Sequence, residues 1–310
     1  MTTTLTTQEL TEKQRAIADF YAQNGYSIYP NALSVDEVQK LRDETVRICA
    51  GDLGAVGGQN AEGRREGESD DELLRRFLCI HFPHKVSQVM FDALAHPAIV
   101  ETLTACVSPN VKAMQSMLFI KASGKPGQAW HQDEDYIPTR DRSLVGAWIA
   151  LDDATIENGC LWIIPGSHKP GVLWDQHWHS DRRFDCSLES QNFPYGDEDA
   201  VAVEVRAGTI VFFNGYTLHR SLPNVAKSGY RRALVNHYMS AESFLPWFAP
   251  RPQSQTDQKG IAKLDYRDIV MIAGTDPYAH HGLEDRQSAF VRADGKGGCL
   301  NGQVELEYED

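Results

Sequence analysis

The chain has 310 residues, 42% hydrophobic and 24% charged, a balance that builds one sizeable core and excludes disordered and fibrous classes. A formal charge of −13, from 43 acidic against 30 basic residues, argues against a nucleic-acid or anionic-membrane surface and leaves a small molecule as the expected partner. It says nothing of oligomeric state.

Six cysteines (Cys49, Cys79, Cys106, Cys160, Cys186, Cys299) lie scattered without a C-x-x-C spacing, as expected of free thiols in a reducing compartment. The N-terminus MTTTLTTQEL lacks a signal-peptide core, and no uninterrupted apolar run approaches ~18 residues. The expected location is the cytoplasm.

In chain order, TEKQRAIADFYAQNG places Ile17, Phe20 and Tyr21 near one face and stops at Gly25, which predicts a helix. After the extended run YSIYP, Ser34 and Glu37 form a capping-box signature ahead of a second helix with Val38, Leu41, Val46 and Ile48 at helical spacing. Residues 51–72 are rich in glycine and charge without an apolar period, and read as a long mobile loop able to cover a site. A third helix is predicted around DALAHPAIVETLTACV, with Pro97 in its first turn.

From Val111 the pattern changes to short apolar or alternating runs, VKAMQSMLFIKAS, LVGAWIALDD, GCLWIIPG, AVAVEVRAGTIVFFN and RRALVNHYMS, separated by turn residues. Helices followed by close-spaced strands predict an antiparallel barrel or jelly roll with an N-terminal helical buttress.

Within QAWHQDEDY, His131 and Asp133 are two apart, so an extended strand turns both to one face. Alone, H-x-D is equally a pair of surface polar groups beside a turn. His219 adds weight to it: it lies 86 positions after Asp133, directly behind the apolar run TIVFF. Two histidines and one carboxylate on one side of an Fe(II) ion leave open positions for O2 and a bidentate co-substrate. The helical H-E-x-x-H spacing usual in zinc hydrolases is absent.

The HQD segment, DDATIENGCLWIIPGSH and the later H-x-S-x-P-N…RRAL resemble the phytanoyl-CoA dioxygenase family of Fe(II)/2-oxoglutarate oxygenases, from about Ala16 to about Met239. The resemblance implies a double-stranded β-helix, a form of jelly roll, with His131, Asp133 and His219 as iron ligands and 2-oxoglutarate and O2 as co-substrates. It implies one oxygenase domain over 1–310: a mainly helical part (1–110), a β core (111–240) with an aromatic-rich insert at 170–199, and a C-terminal extension (241–310). An occupied Asp133 position, which related halogenases lack, implies hydroxylation as the default outcome, with desaturation, epoxidation or ring formation as variants.

The distal carboxylate of 2-oxoglutarate is best held by a guanidinium fork on a strand after the second histidine. GYRRALVNHY offers Arg231 and Arg232, and alternation allows only one to face inward. Similarity to the family pattern selects Arg231, although it stands 12 positions after His219, one more than the family's usual interval, which keeps Arg232 open. Ser221 matches the family serine that donates to the same carboxylate; Gln132, Trp148 and Met117 match pocket positions, with core packing an equal reading for the last two.

Other candidates have plain structural readings beside the functional ones. His168 is expected to shape the GSHKPG turn, His81 and His84 to be structural or site-facing, and Arg140 and Arg142 to meet a substrate anion or sit in solvent. Trp174, Trp178, Phe184, Phe193 and Tyr195 in the insert form either a lid over an organic substrate or staples to the barrel. A metal-dependent hydrolase or isomerase on the same barrel would keep the triad without needing Arg231. A catalytically silent binding barrel would need neither.

Overall fold

The computed structural model describes residues 10–58, 61–185, 187–244, 269–283, 285 and 287–292. Cys186, Cys299 and most of the 241–310 extension lie outside the described residues.

Two of the three anticipated helices start where their caps place them. Thr11 and Gln14 close a capping box on α1 (Glu12–Asn24), and Ser34 with Glu37 does so on α2 (Val35–Ala50). Gly25 ends α1 at φ 78°, and a Cβ there would stand 2.4 Å from the His168 ring, so glycine is required by conformation and by space. The predicted third helix is divided. α4 (Gln88–Asp92) and a 3-10 turn at Ala93–Ala95 precede α5 (Pro97–Cys106), because the proline holds His96 in extended backbone at ψ 136°. By length and composition alone Gln88–Cys106 would pass as a membrane span; the break at His96 splits it, and α5 packs against α1.

The 51–72 segment is tied down rather than free. Gly57 bridges to Phe290, Arg76 pairs with Glu68 at 3.0 Å, and from Asp70 the chain is helical in α3 (Asp70–Arg75), capped by Ser69.

The strand-rich half forms two antiparallel sheets. The larger contains β1 (Tyr26–Tyr29), β2 (Cys79–His81), β3 (Val111–Ala122), β5 (Val145–Ala150), β10 (Ile210–Asn214), β12 (Tyr230–Ser240), β13 (Val270–Ala273) and β14 (Phe290–Arg292). Its order is β1-β10-β5-β12-β3-β2-β14, with β13 also on β3. The smaller comprises β4 (Gln128–His131), β6 (Leu161–Ile163), β9 (Val201–Val203) and β11 (His219–Ser221), in the order β4-β11-β6-β9. The sheets are the two faces of a jelly roll.

Alternation gives the larger sheet two apolar faces. Ala147, Ile149, Phe212 and Leu234 pack with Tyr21, Leu41, Ile48 and Leu103 of α1, α2 and α5. Trp148, Val211, Phe213 and Val235 point the other way, against Leu161, Ile163 and Val203 of the smaller sheet. Each Val, Leu, Ile or Phe buried in this way contributes about 1.5–3 kcal/mol of transfer free energy. The helices therefore buttress the outer face, and the space between the sheets is left for a site.

The insert folds as a hairpin of β7 (Gln176–Trp178) and β8 (Leu188–Ser190). Trp174, Phe193 and Tyr195 pack on the outside of the smaller sheet against Trp130, Ile164 and Leu218. Phe184 is buried, and only Trp178, at 52%, is well exposed. The aromatic groups are thus staples for the most part, and none of them lines the cavity between the sheets.

Candidate metal and co-substrate site

β4 and β11 are hydrogen-bonded neighbours in which His131 stands directly opposite His219. After His131 the chain turns into α6 (Asp133–Tyr136), which brings Asp133 to the same side. His131 Nε2 lies 3.7 Å and His219 Nε2 3.6 Å from Asp133 Oδ1, and one ligand atom from each residue falls within 4.8 Å of the others. All three side chains are buried.

The protonation of this face is set by its neighbours. His131 Nδ1 meets Ala129 O at 2.8 Å and His219 Nδ1 meets Thr217 O at 2.9 Å. A carbonyl only accepts, so each Nδ1 carries a proton, which in the neutral imidazole leaves the Nε2 lone pair for a metal. Burial, with the nearby His219, pushes His131 down to about 4 against the pull of Asp133. Burial alone would raise the Asp133 carboxyl; His219, His237 and His131 around it and the hydrogen bond from His237 hold it below the usual carboxylate range. Neutral imidazoles and an ionised carboxylate are the forms that bind a metal, so the donor set fits a divalent iron.

His237, which belongs to none of the motifs, donates from Nε2 to Asp133 Oδ2 at 3.0 Å. Its parity with Arg231 on β12 is the signal that could have found it, since an inward arginine puts residue 237 inward too. By holding the outer oxygen, His237 leaves Oδ1 aimed at the histidines. His237→Phe is expected to weaken iron binding about 10- to 100-fold, read by competition with a chelator of known affinity. An unchanged affinity would remove this orienting role.

Across the cavity, strand parity separates the two arginines. Arg231 shares the inward side with Ala233 and Val235, whereas Arg232 shares the outward side with Leu234. Arg232 forms a two-pronged pair with Asp152 at 2.8 Å, and Asp152 also meets Arg42 of α2. Arg231 is 3% exposed; its Nε donates to Gly159 O at 3.1 Å and its guanidinium lies 5.5 Å from the Trp148 ring centre. Burial pushes Arg231 down to about 10. Among the described residues no carboxylate is within ion-pair distance of it.

Met117, Trp148, Ser221 and Arg231 line the cavity together with the triad, Phe119, Phe213, Val235 and His237. Gln132 does not. Its carboxamide faces the opposite way, donating to Val172 O at 2.9 Å and Tyr216 O at 2.7 Å and accepting from Trp174 N at 2.9 Å. Between two inward neighbours the backbone turns it outward, and its visible work is to fasten the insert.

The remaining candidates take their structural readings. His168 Nε2 donates to Ala22 O at 3.1 Å and ties its turn to α1. His81 stacks on Phe290 at 4.6 Å, burial pushes it down to about 3, and His84 is buried against Ser116. Arg140 and Arg142 are exposed in a turn with φ of 63° and 60°.

A jelly roll whose two sheets enclose a histidine–carboxylate–histidine face is the architecture of the iron- and 2-oxoglutarate-dependent oxygenases. Residues 21–233 match the model of the phytanoyl-CoA dioxygenase family, and the chain belongs to that family. A stretch of 135 residues is 35% identical to a phytanoyl-CoA dioxygenase of Arabidopsis thaliana, covering 42% of this chain and 44% of that protein. Phytanoyl-CoA dioxygenase 1 of Oryza sativa subsp. japonica is 29% identical over 251 residues, 72% of this chain and 88% of its own length. Among solved structures, the epimerase SnoN in complex with Fe3+, alpha ketoglutarate and nogalamycin RO superposes with a TM-score of 0.56 at 22% identity, covering 74% of this chain and 84% of its own.

Proposed function

We propose that this chain is a single oxygenase unit that oxidises a small organic molecule, by hydroxylation as the default, consuming 2-oxoglutarate and O2 and releasing succinate and CO2. The observation that carries this reading is the buried His131–Asp133–His219 face set across one cavity from a guanidinium that has no carboxylate partner among the described residues. A hydrolase, or an isomerase that works without 2-oxoglutarate, has no use for that arginine. The SnoN complex, with Fe3+ and alpha ketoglutarate bound, lends support from the same fold.

His131, Asp133 and His219 would hold Fe(II), which would supply O2 activation next to the co-substrate. His131 and His219 present lone pairs and Asp133 a negative charge, each fixed by its own hydrogen bond. Arg231 receives the distal carboxylate in a fork that Gly159 O orients and the Trp148 ring supports. Ser221 adds a hydroxyl donor. Met117, Phe213 and Val235 give the cavity an apolar wall that would keep bulk water from the site. The four described cysteines are unpaired, which supports a reducing compartment such as the cytoplasm.

The test is succinate release with Fe(II), O2 and 2-oxoglutarate across a panel of small organic molecules, with metal content measured alongside. Substrate-stimulated succinate formation matched by an oxidised product is expected. Turnover without 2-oxoglutarate, under zinc or manganese, would transfer the triad to a hydrolase or isomerase.

A further inference from the structure

Beside Arg231 stands a second buried cation. Lys121 on β3 is directly opposite Arg231 in the β12–β3 register, on the same side of its strand as the cavity-lining Met117 and Phe119. It is 3% exposed. Its Nζ donates to Ser221 Oγ at 2.8 Å and to Leu222 O at 2.7 Å. Both acceptors are uncharged. The backbone makes room for this arrangement at Gly159, where φ is 80° and a Cβ would stand 3.1 Å from Lys121 Nζ and 2.3 Å from Leu222 O.

Two cations buried side by side are costly unless one gives up its proton or an anion joins them. A neutral amine has two N–H donors, and the two contacts use both; protonation adds a third. Because Nζ donates to Ser221 Oγ, the serine hydroxyl hydrogen is free to point into the cavity. We propose that Lys121 positions the distal carboxylate of 2-oxoglutarate through Ser221 and takes up a proton from solvent as that carboxylate binds. This rests on the co-substrate reading above.

The charges facing Lys121 fix the sign. Burial, then Arg231 of β12, depress its pKa well below the ordinary lysine value. Arg292 of β14 acts in the same direction, while Asp185 of the insert and Cys160 just before β6 oppose it. A carboxylate held by Arg231 cancels the main repulsion, so the lysine pKa rises on binding. The bound state then holds more protons than the free state, and affinity falls as pH rises between the free and bound values.

The experiment is calorimetric titration of 2-oxoglutarate into iron-loaded protein without O2, in buffers of different ionisation enthalpy, which counts protons taken up. Wild type is expected to take up about one proton per co-substrate at mildly alkaline pH. Lys121→Met is expected to bind about 10-fold more weakly and take up none, with iron affinity unchanged. Ser221→Ala should weaken binding and keep the proton. Binding without proton uptake in wild type overturns the proposal, even if Lys121→Met fails to fold. So does a Lys121→Met protein whose affinity or proton count equals wild type. If wild type binds no 2-oxoglutarate at all, the co-substrate reading falls and this proposal with it; binding that depends on Arg231 and not on Lys121 removes this proposal alone.

Discussion

Replacing His131, Asp133 or His219 by alanine is expected to bring iron-dependent succinate formation down to background while leaving the fold intact. Each residue supplies one of three bonds on a single face, and the side chains reach it from three different local structures: the end of β4, the first turn of α6 and the start of β11. Among the described residues, His237 is committed to Asp133 Oδ2 and faces its outer side, so it does not replace a lost histidine. The fold survives because the apolar clusters on both faces of the large sheet contain none of the three. Iron stoichiometry, succinate yield and thermal midpoint should be measured on each variant. Near-normal iron binding and turnover in any one of them would remove that residue from the ligand set.

Arg231→Ala is expected to raise the apparent KM for 2-oxoglutarate by about 30-fold or more, since truncating one partner of a buried charge-assisted fork costs roughly 2–5 kcal/mol. Arg232→Ala should leave that KM unchanged and instead lower the thermal midpoint, because it breaks the pair with Asp152 that joins β12 to α2. Arg231→Lys should recover part of the loss, keeping the charge without the planar fork. A KM effect confined to Arg232 would mean that the inward face of β12 lies one residue out of register.

The sequence made the strands, the helix caps and the H-x-D pair legible because each rests on short-range rules, although Asp133 joins His131 from the first turn of α6 and not, as strand alternation predicts, from the same strand face. Spacing leaves Arg231 and Arg232 both open; that Arg231 is the one facing inward follows from parity with Ala233 and Val235, whose inward packing needs the second sheet in view. Lys121 and His237 were both readable in principle. Lys121 shares parity with Met117 and Phe119, and His237 with Arg231, but a charged or polar residue on an apolar strand has no local mark of its partner. Gln132 went astray for the converse reason: it sits between two ligands, and the turn at the end of β4 sends it to Val172 and Tyr216 on the far side. The tied-down 51–72 loop depends on Phe290, more than two hundred residues along the chain, a pairing no local pattern announces.

The division of labour between the two sheets has a further consequence. The proposed metal ligands belong to the small sheet and its α6 turn, Lys121 and Arg231 to the large one, and the Lys121–Ser221 hydrogen bond crosses between them. Packed sheets keep a nearly fixed gap of about 10 Å. On the proposed reading the dicarboxylate lies within that gap: one end must touch the iron while the other touches Arg231 of the large sheet and Ser221 of the small one. A keto-diacid one carbon shorter or longer would miss that pair with its distal carboxylate, so discrimination among such acids is built into the separation of the pair from the triad and not into any one side chain.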